Sequence, residues 1–256
     1  MSAARPVPDR LPNGLPTELP AGVPVDAHVV PSQRPDPERS EPHRRRRVPR
    51  LDLRRTLLAA AVAAAPLLQL AGMIPHPVMP DSPAAALEVV ASDPDGWFRM
   101  HALAASSAAL TVVACLALAG LVRGRGARLA TVGATLQVVA SALLVFAFAA
   151  EAHLWSLAAD PSLDRAAVVP LVALEDGSPA MVGLGLGFPL LGVGTVLLMS
   201  GLLRSRAVPR WQPVLVLVGT FTSIAAAPGS SLGPLLFVPS VLGMLALARS
   251  VARAGH

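Results

Sequence analysis

Long stretches without a charged residue constrain this chain more than any other feature of its sequence. An α-helix needs about 20 apolar residues, within a range of roughly 17 to 25, to cross the hydrocarbon core of a bilayer. Backbone polar groups in that core must be paired within the segment, which a helix achieves. The sequence therefore predicts an all-α, polytopic membrane helix bundle of about six transmembrane helices. The expected spans are residues 56–74, 102–122, 129–150, 180–203, 211–227 and 232–248.

The chain divides at about residue 50 into two regions. Residues 1–50 are rich in Pro and Arg and show no sustained apolar periodicity, so burial cannot offset the entropy of ordering them. We predict a disordered cytoplasmic tail for residues 1–50 and a six-helix transmembrane domain for residues 51–256. Over the whole chain 14% of the residues are charged, whereas soluble domains carry about 25%, and this scarcity also favours a membrane environment.

A basic run joins the predicted tail to the first span. It is expected to hold the tail in the cytoplasm and to contact anionic lipid head groups, at about 1 kcal/mol per arginine near the surface. Nucleic acid is not an expected partner, because no aromatic residue is interleaved with the run. The run consists of Arg44, Arg45, Arg46, Arg47, Arg50, Arg54 and Arg55.

The distribution of arginine between the loops predicts the orientation. Cytoplasmic loops of membrane proteins are enriched in Lys and Arg. Segments 75–101, 151–179 and 228–231 contain two arginines against nine acidic residues, so we expect them outside. Both termini are then cytoplasmic. All 21 basic residues are arginine, which together with the Ala-rich helices suggests a GC-rich genome and a bacterial inner membrane. The arginines expected inside are Arg123, Arg125, Arg128, Arg204, Arg206, Arg210, Arg249 and Arg253.

Cap residues and tryptophans mark the expected outer segments. Ser82 precedes Pro83 and predicts a short helix over residues 84–91, because Ser is a good N-cap and Pro a good first helical residue. Residues 93–96, with sequence Asp-Pro-Asp-Gly, predict a turn. Trp97 and Trp155 are expected to anchor the outer membrane interface and Trp211 the inner one.

Four residues near the outer helix ends form a candidate metal site: His76, His101, His153 and Glu151. Three imidazoles and a carboxylate suit Zn²⁺ or Cu²⁺, and two imidazoles suit a haem iron. Small residues at helical spacing from His101 indicate that its ring points inward. Against a shared site, Glu151 and His153 lie two positions apart, which places them about 200° apart around a helix. Histidine is also ordinary at a membrane interface.

The fourth span is rich in glycine and contains Gly183 and Gly187 in G-x-x-x-G spacing. This spacing allows a second helix to approach the backbone closely. The sequence leaves open whether that helix belongs to the same chain or to a second copy. A nucleotide-binding loop is excluded, because no strand precedes the glycines and no Lys-Ser/Thr pair follows them.

No motif of a hydrolase, a nucleotide-binding enzyme or a dithiol oxidoreductase is present, so catalysis is not favoured and no cofactor is identified. The predicted spans also contain no ionisable residue. The leading hypothesis is a noncatalytic, accessory membrane protein that packs with itself or with a membrane partner. One alternative is a small-solute carrier or channel, suggested by Pro66, Pro189 and Pro239 within spans and by similar Arg-containing loops at 120–125 and 201–206. The other is a metal or haem protein that uses the outer histidines.

Overall fold

The computed structural model describes residues 52–160, 162–175, 177–225 and 232–254. These residues form helices and no strand, and five of the helices are long and apolar enough to cross a membrane: α1, α3, α4, α6 and α8. The prediction of an all-α, polytopic bundle is confirmed. The helices are α1 (Leu53–Met73), α2 (Pro83–Ser92), α3 (Pro94–Ala119), α4 (Ala127–Ala159), α5 (Arg165–Glu175), α6 (Pro179–Ser205), α7 (Trp211–Ala225) and α8 (Gly233–Arg253).

The fifth predicted span is a shorter helix within the described residues. α7 has 15 residues and is therefore about 22 Å long, less than the hydrocarbon thickness of about 30 Å. The end of the predicted span at residue 227 lies outside the described residues. So do the predicted tail, residues 1–50, and with it Arg44, Arg45, Arg46, Arg47 and Arg50. Arg54 and Arg55 lie in the first turn of α1, where Arg55 pairs with Asp52 at 3.2 Å.

The third and fourth helices extend beyond their predicted spans. α3 begins at Pro94 and not near residue 102, because the Asp93 side chain accepts a hydrogen bond from the Gly96 amide at 2.9 Å and caps the helix. The turn predicted for residues 93–96 is therefore wrong, and these residues form an N-cap and a first helical turn. α4 has 33 residues and is about 50 Å long, so it projects well beyond a bilayer core.

The six helices other than α2 and α5 form a closed ring in chain order. α1 packs on α3, α3 on α4, α4 on α6, α6 on α7, α7 on α8, and α8 returns to α1. Near the loops that join α3 to α4 and α6 to α7, the ring encloses a core to which every one of these helices contributes. Its buried members include Val62, Leu118, Ala130, Leu198, Leu202, Val216 and Leu247. We call this end of the bundle the uncapped end.

Glycines set the distance between α4 and α6. A Cβ atom on Gly133 would lie 2.4 Å from the Leu198 amide nitrogen, and one on Gly194 would lie 2.9 Å from the Gly133 carbonyl oxygen. Gly183 and Gly187 also face α4: a Cβ on Gly187 would lie 2.8 Å from the Leu144 side chain. The structure thus places the predicted packing glycines against a helix of the same chain. They give no support for a second copy.

The two short helices α2 and α5 cover the other end of the ring, and we call them the cap. The Ser82 side chain accepts a hydrogen bond from the Ala85 amide at 3.3 Å, and Pro83 opens α2, as the sequence indicates. The cap packs on the projecting ends of α3 and α4 and encloses an apolar core of its own. This core contains Leu87, Val90, Trp97, Met100, Ala158, Val168 and Val172.

Candidate functional site

His101 is the most deeply buried ionisable side chain at the capped end. It lies in the second turn of α3 with 2% of its surface exposed. Its Nδ1 atom is 2.9 Å from the backbone carbonyl oxygen of Trp97, one turn earlier. A carbonyl oxygen can only accept, so the hydrogen resides on Nδ1 and donates to Trp97. The other ring nitrogen, Nε2, is left to face α4.

Nε2 of His101 lies 3.3 Å from Oε2 of Glu151 near the end of α4. The side chains are 3% and 21% exposed, respectively. With Nδ1 donating to Trp97, a neutral ring would present a lone pair to a carboxylate, and two acceptors repel. A hydrogen bond between these two atoms needs a hydrogen on one of them. The contact links α3 to α4.

Trp97 completes this arrangement. Its indole nitrogen donates to the backbone carbonyl oxygen of Glu151 at 2.8 Å, and its ring centroid lies 4.3 Å from that of His101. The prediction that Trp97 anchors the lipid interface is wrong, because the side chain is 3% exposed and its N–H group is paired within the protein. We refer to Trp97, His101 and Glu151 as the His101 network.

The His101 network lies between the apolar cores of the bundle and the cap. Trp97 belongs to the core of the cap. On the other side, the His101 ring centroid is 6.4 Å from that of the buried Phe148, which in turn contacts Phe188 at 6.2 Å. A polar contact enclosed on both sides by apolar groups is screened little by water and depends strongly on its partners. The network therefore ties α3 to α4 directly beneath the apolar core of the cap.

His76 lies beside the network and His153 lies apart from it. The His76 ring centroid is 5.6 Å from that of His101, and its Nδ1 atom is 2.8 Å from the Pro77 carbonyl oxygen. His153 is exposed, and its Nδ1 atom is 3.4 Å from the Ser156 hydroxyl. The spacing of two residues turns His153 away from Glu151 on α4, as the helical geometry requires.

The four predicted metal ligands are therefore not brought together as one set. His101 and Glu151 are in contact, His76 is adjacent, and His153 faces elsewhere. Within the described ranges no group of three His, Cys, Asp or Glu side chains is arranged to hold a metal ion. Metal or haem binding at this end remains a prediction.

The sequence predicted both His101 and Glu151 as site residues but not their link through Trp97, because the expected spans stopped one residue short of them, at 102 and at 150. The sequence signal that could have revealed the longer helix was Asp93 followed by Pro94, an N-cap and a first helical residue. A helix that begins there contains both Trp97 and His101, and residues four apart lie on one helical face. The link from Trp97 to Glu151 crosses 54 positions of sequence and has no local signal.

The protein-family model described as "Domain of unknown function (DUF4386)" matches residues 56–252, which is more than half of the chain and runs from the first turn of α1 to the end of α8. No curated protein and no solved structure matches the chain significantly.

Proposed function

The chain belongs to the DUF4386 family, and we propose that it is a noncatalytic, accessory protein of the cytoplasmic membrane that engages a membrane partner through its cap. The observation that carries this proposal is the His101 network, which ties together the projecting ends of α3 and α4 on which the cap packs. Ionisable groups within a membrane protein are costly and are retained mainly for function. Here the buried pair fixes the two helix ends on which the cap packs.

The pairing of the network supports a noncatalytic role. Nδ1 of His101 contacts the Trp97 carbonyl oxygen, and Nε2 contacts the Glu151 carboxyl group. The Trp97 indole N–H donates to the backbone carbonyl oxygen of Glu151. These groups are directed at one another and not at an open cleft. The close approach of α4 to α6 also disfavours a carrier or channel with a path between these two helices.

The outward face of the cap offers a surface to a partner. On α5, Val168 and Val172 are buried in the cap core, whereas Leu171 and Leu174 are 54% and 72% exposed. The cap packs on parts of α3 and α4 that extend beyond a bilayer core, so these leucines are not accounted for by the hydrocarbon interior. A partner protein in the same membrane would remove them from water.

We further propose that the cap lies outside the cytoplasm and that both termini lie inside. The loops and helix ends at the uncapped end carry the exposed arginines expected to be cytoplasmic, among them Arg123, Arg125, Arg204 and Arg206. The positive-inside rule then places the uncapped end in the cytoplasm.

One cysteine-labelling experiment tests both the side of the membrane on which the cap lies and the presence of a partner protein at the cap. Cys115 is buried, and its thiol lies 3.2 Å from the Val112 carbonyl oxygen, so Cys115→Ser keeps a donor and removes the natural thiol. In that background a membrane-impermeant benzophenone maleimide should label Leu174→Cys in intact cells. Ala207→Cys, in the exposed loop between α6 and α7, should be labelled only after lysis. The reverse pattern would overturn the orientation.

Irradiation of the labelled Leu174→Cys protein should then yield one discrete protein adduct, and its mass would tell a second copy from a different partner. Leu242→Cys on α8, also more than half exposed, serves as the lipid-facing control, reacted with the same reagent after lysis. Adducts to lipid alone at both positions would refute docking through the cap.

A further inference from the structure

A shallow, open groove at the uncapped end brings two arginines together with two leucines. It has a volume of about 400 Å³ and is lined by Leu129, Ser200, Leu203, Arg204 and Arg210. Leu129 comes from the first turn of α4, the next three residues from the last turns of α6, and Arg210 from the loop before α7. The groove therefore lies where two long apolar helices reach the membrane surface.

The two guanidinium groups at this groove are unpaired within the described structure. Arg204 and Arg210 are exposed, and neither guanidinium group forms an ion pair or a hydrogen bond with a described residue. The nearest acidic residue along α1, Asp52, already pairs with Arg55. The described loops 120–126 and 206–210 at this end add further arginines and no carboxylate. An anion is the complementary partner for the two guanidinium groups.

We propose that this groove binds one anionic phospholipid. The phosphate lies between Arg204 and Arg210 with the Ser200 hydroxyl as a further donor, and the upper acyl chain lies along Leu129 and Leu203. Arginine suits a phosphate group because its planar donors can bind two oxygens at once. The two leucines favour a lipid over a soluble phosphate, because the latter would leave them in water. This site is distinct from the cap and does not depend on the partner proposed there.

The test uses the full chain in detergent, titrated with phosphatidylglycerol and followed by native mass spectrometry. The wild-type protein should bind one phosphatidylglycerol molecule in preference to phosphatidylcholine. The double variant Arg204→Gln/Arg210→Gln should bind it about thirtyfold more weakly, at the worth of two arginines near a membrane surface. Arg249→Gln/Arg253→Gln removes the same charge from the exposed end of α8, outside the groove, and should change the affinity less than threefold.

A second variant separates the groove from general charge. Ser200→Phe fills the groove and keeps both arginines, and it should also lose the bound lipid while its lipid-free melting temperature stays near that of the wild type. If the two double arginine variants lost lipid affinity equally, or if Ser200→Phe bound the lipid as the wild type does, binding would reflect diffuse charge attraction. Either result would overturn the proposal. Competition by inorganic phosphate at the same concentration as the lipid would reassign the site to a soluble anion and equally overturn it.

Discussion

Replacing His101 with alanine is expected to lower the free energy of unfolding by about 3 kcal/mol. The change leaves the Glu151 carboxylate and the Trp97 carbonyl oxygen without the partner they share, and it opens a cavity between Trp97 and Phe148. Removing one member of a buried pair costs roughly 3–5 kcal/mol, and the 21% exposure of Glu151 places this case at the lower limit. The unfolding midpoint of the purified protein in detergent measures the effect.

Glu151→Gln is the matched control. The new amide can donate an N–H to Nε2 of His101 while the Nδ1 hydrogen remains on the Trp97 carbonyl oxygen, so the contact between α3 and α4 survives. We expect this variant to lose less than about 1 kcal/mol, the net worth of a typical hydrogen bond. If Glu151→Gln were as damaging as His101→Ala, the proposed hydrogen-bond arrangement of the His101 ring would be wrong.

Gly194→Ala is expected to destabilise the bundle by about 2–3 kcal/mol. The added Cβ would lie 2.9 Å from the Gly133 carbonyl oxygen and 3.1 Å from the Gln137 amide nitrogen. These are backbone atoms of α4, and they cannot move unless the two helices separate. The expected loss of stability is therefore that of an overpacked core. The same unfolding measurement applies.

Gly192→Ala provides the comparison two residues earlier on α6. Its Cβ would meet only the Ile224 Cδ1 atom at 3.9 Å, an ordinary contact. Alanine is preferred over glycine within a helix by about 1 kcal/mol, so this variant should be neutral or more stable. Similar effects at positions 192 and 194 would show that the contact between α4 and α6 is looser than described.

The fold could largely be predicted because span length is a local property. Runs of about 20 uncharged residues located α1, α3, α4, α6 and α8 without any knowledge of their neighbours. The apolar pattern could not show where α3 and α4 end, because both continue as helices past the hydrocarbon region. The Asp93 N-cap sets the first residue of α3, and hydropathy carries no information about an N-cap.

The candidate site was only partly predictable for a related reason. The small-residue face at Ala104 and Ala108 correctly indicated that His101 points inward, since the ring is 2% exposed. Its partner was harder to identify, because Glu151 and His153 are only two positions apart in sequence. Which of them faces His101 depends on the rotation of α4 about its axis. The partner of the α6 glycines likewise depended on the order of helices in the ring.

Hydrogen exchange of the wild-type and His101→Ala proteins in lipid nanodiscs tests most directly whether the His101 network holds the cap on the bundle. Backbone amides open locally according to the stability of the segment that contains them. The account predicts that amides in residues 83–92 and 165–174 exchange at least about tenfold faster in the variant, the factor that corresponds to 1.4 kcal/mol. Amides at the contact of α4 with α6, around Gly133 and Leu198, should remain protected. Unchanged exchange in α2 and α5, or equal acceleration throughout the bundle, would contradict it.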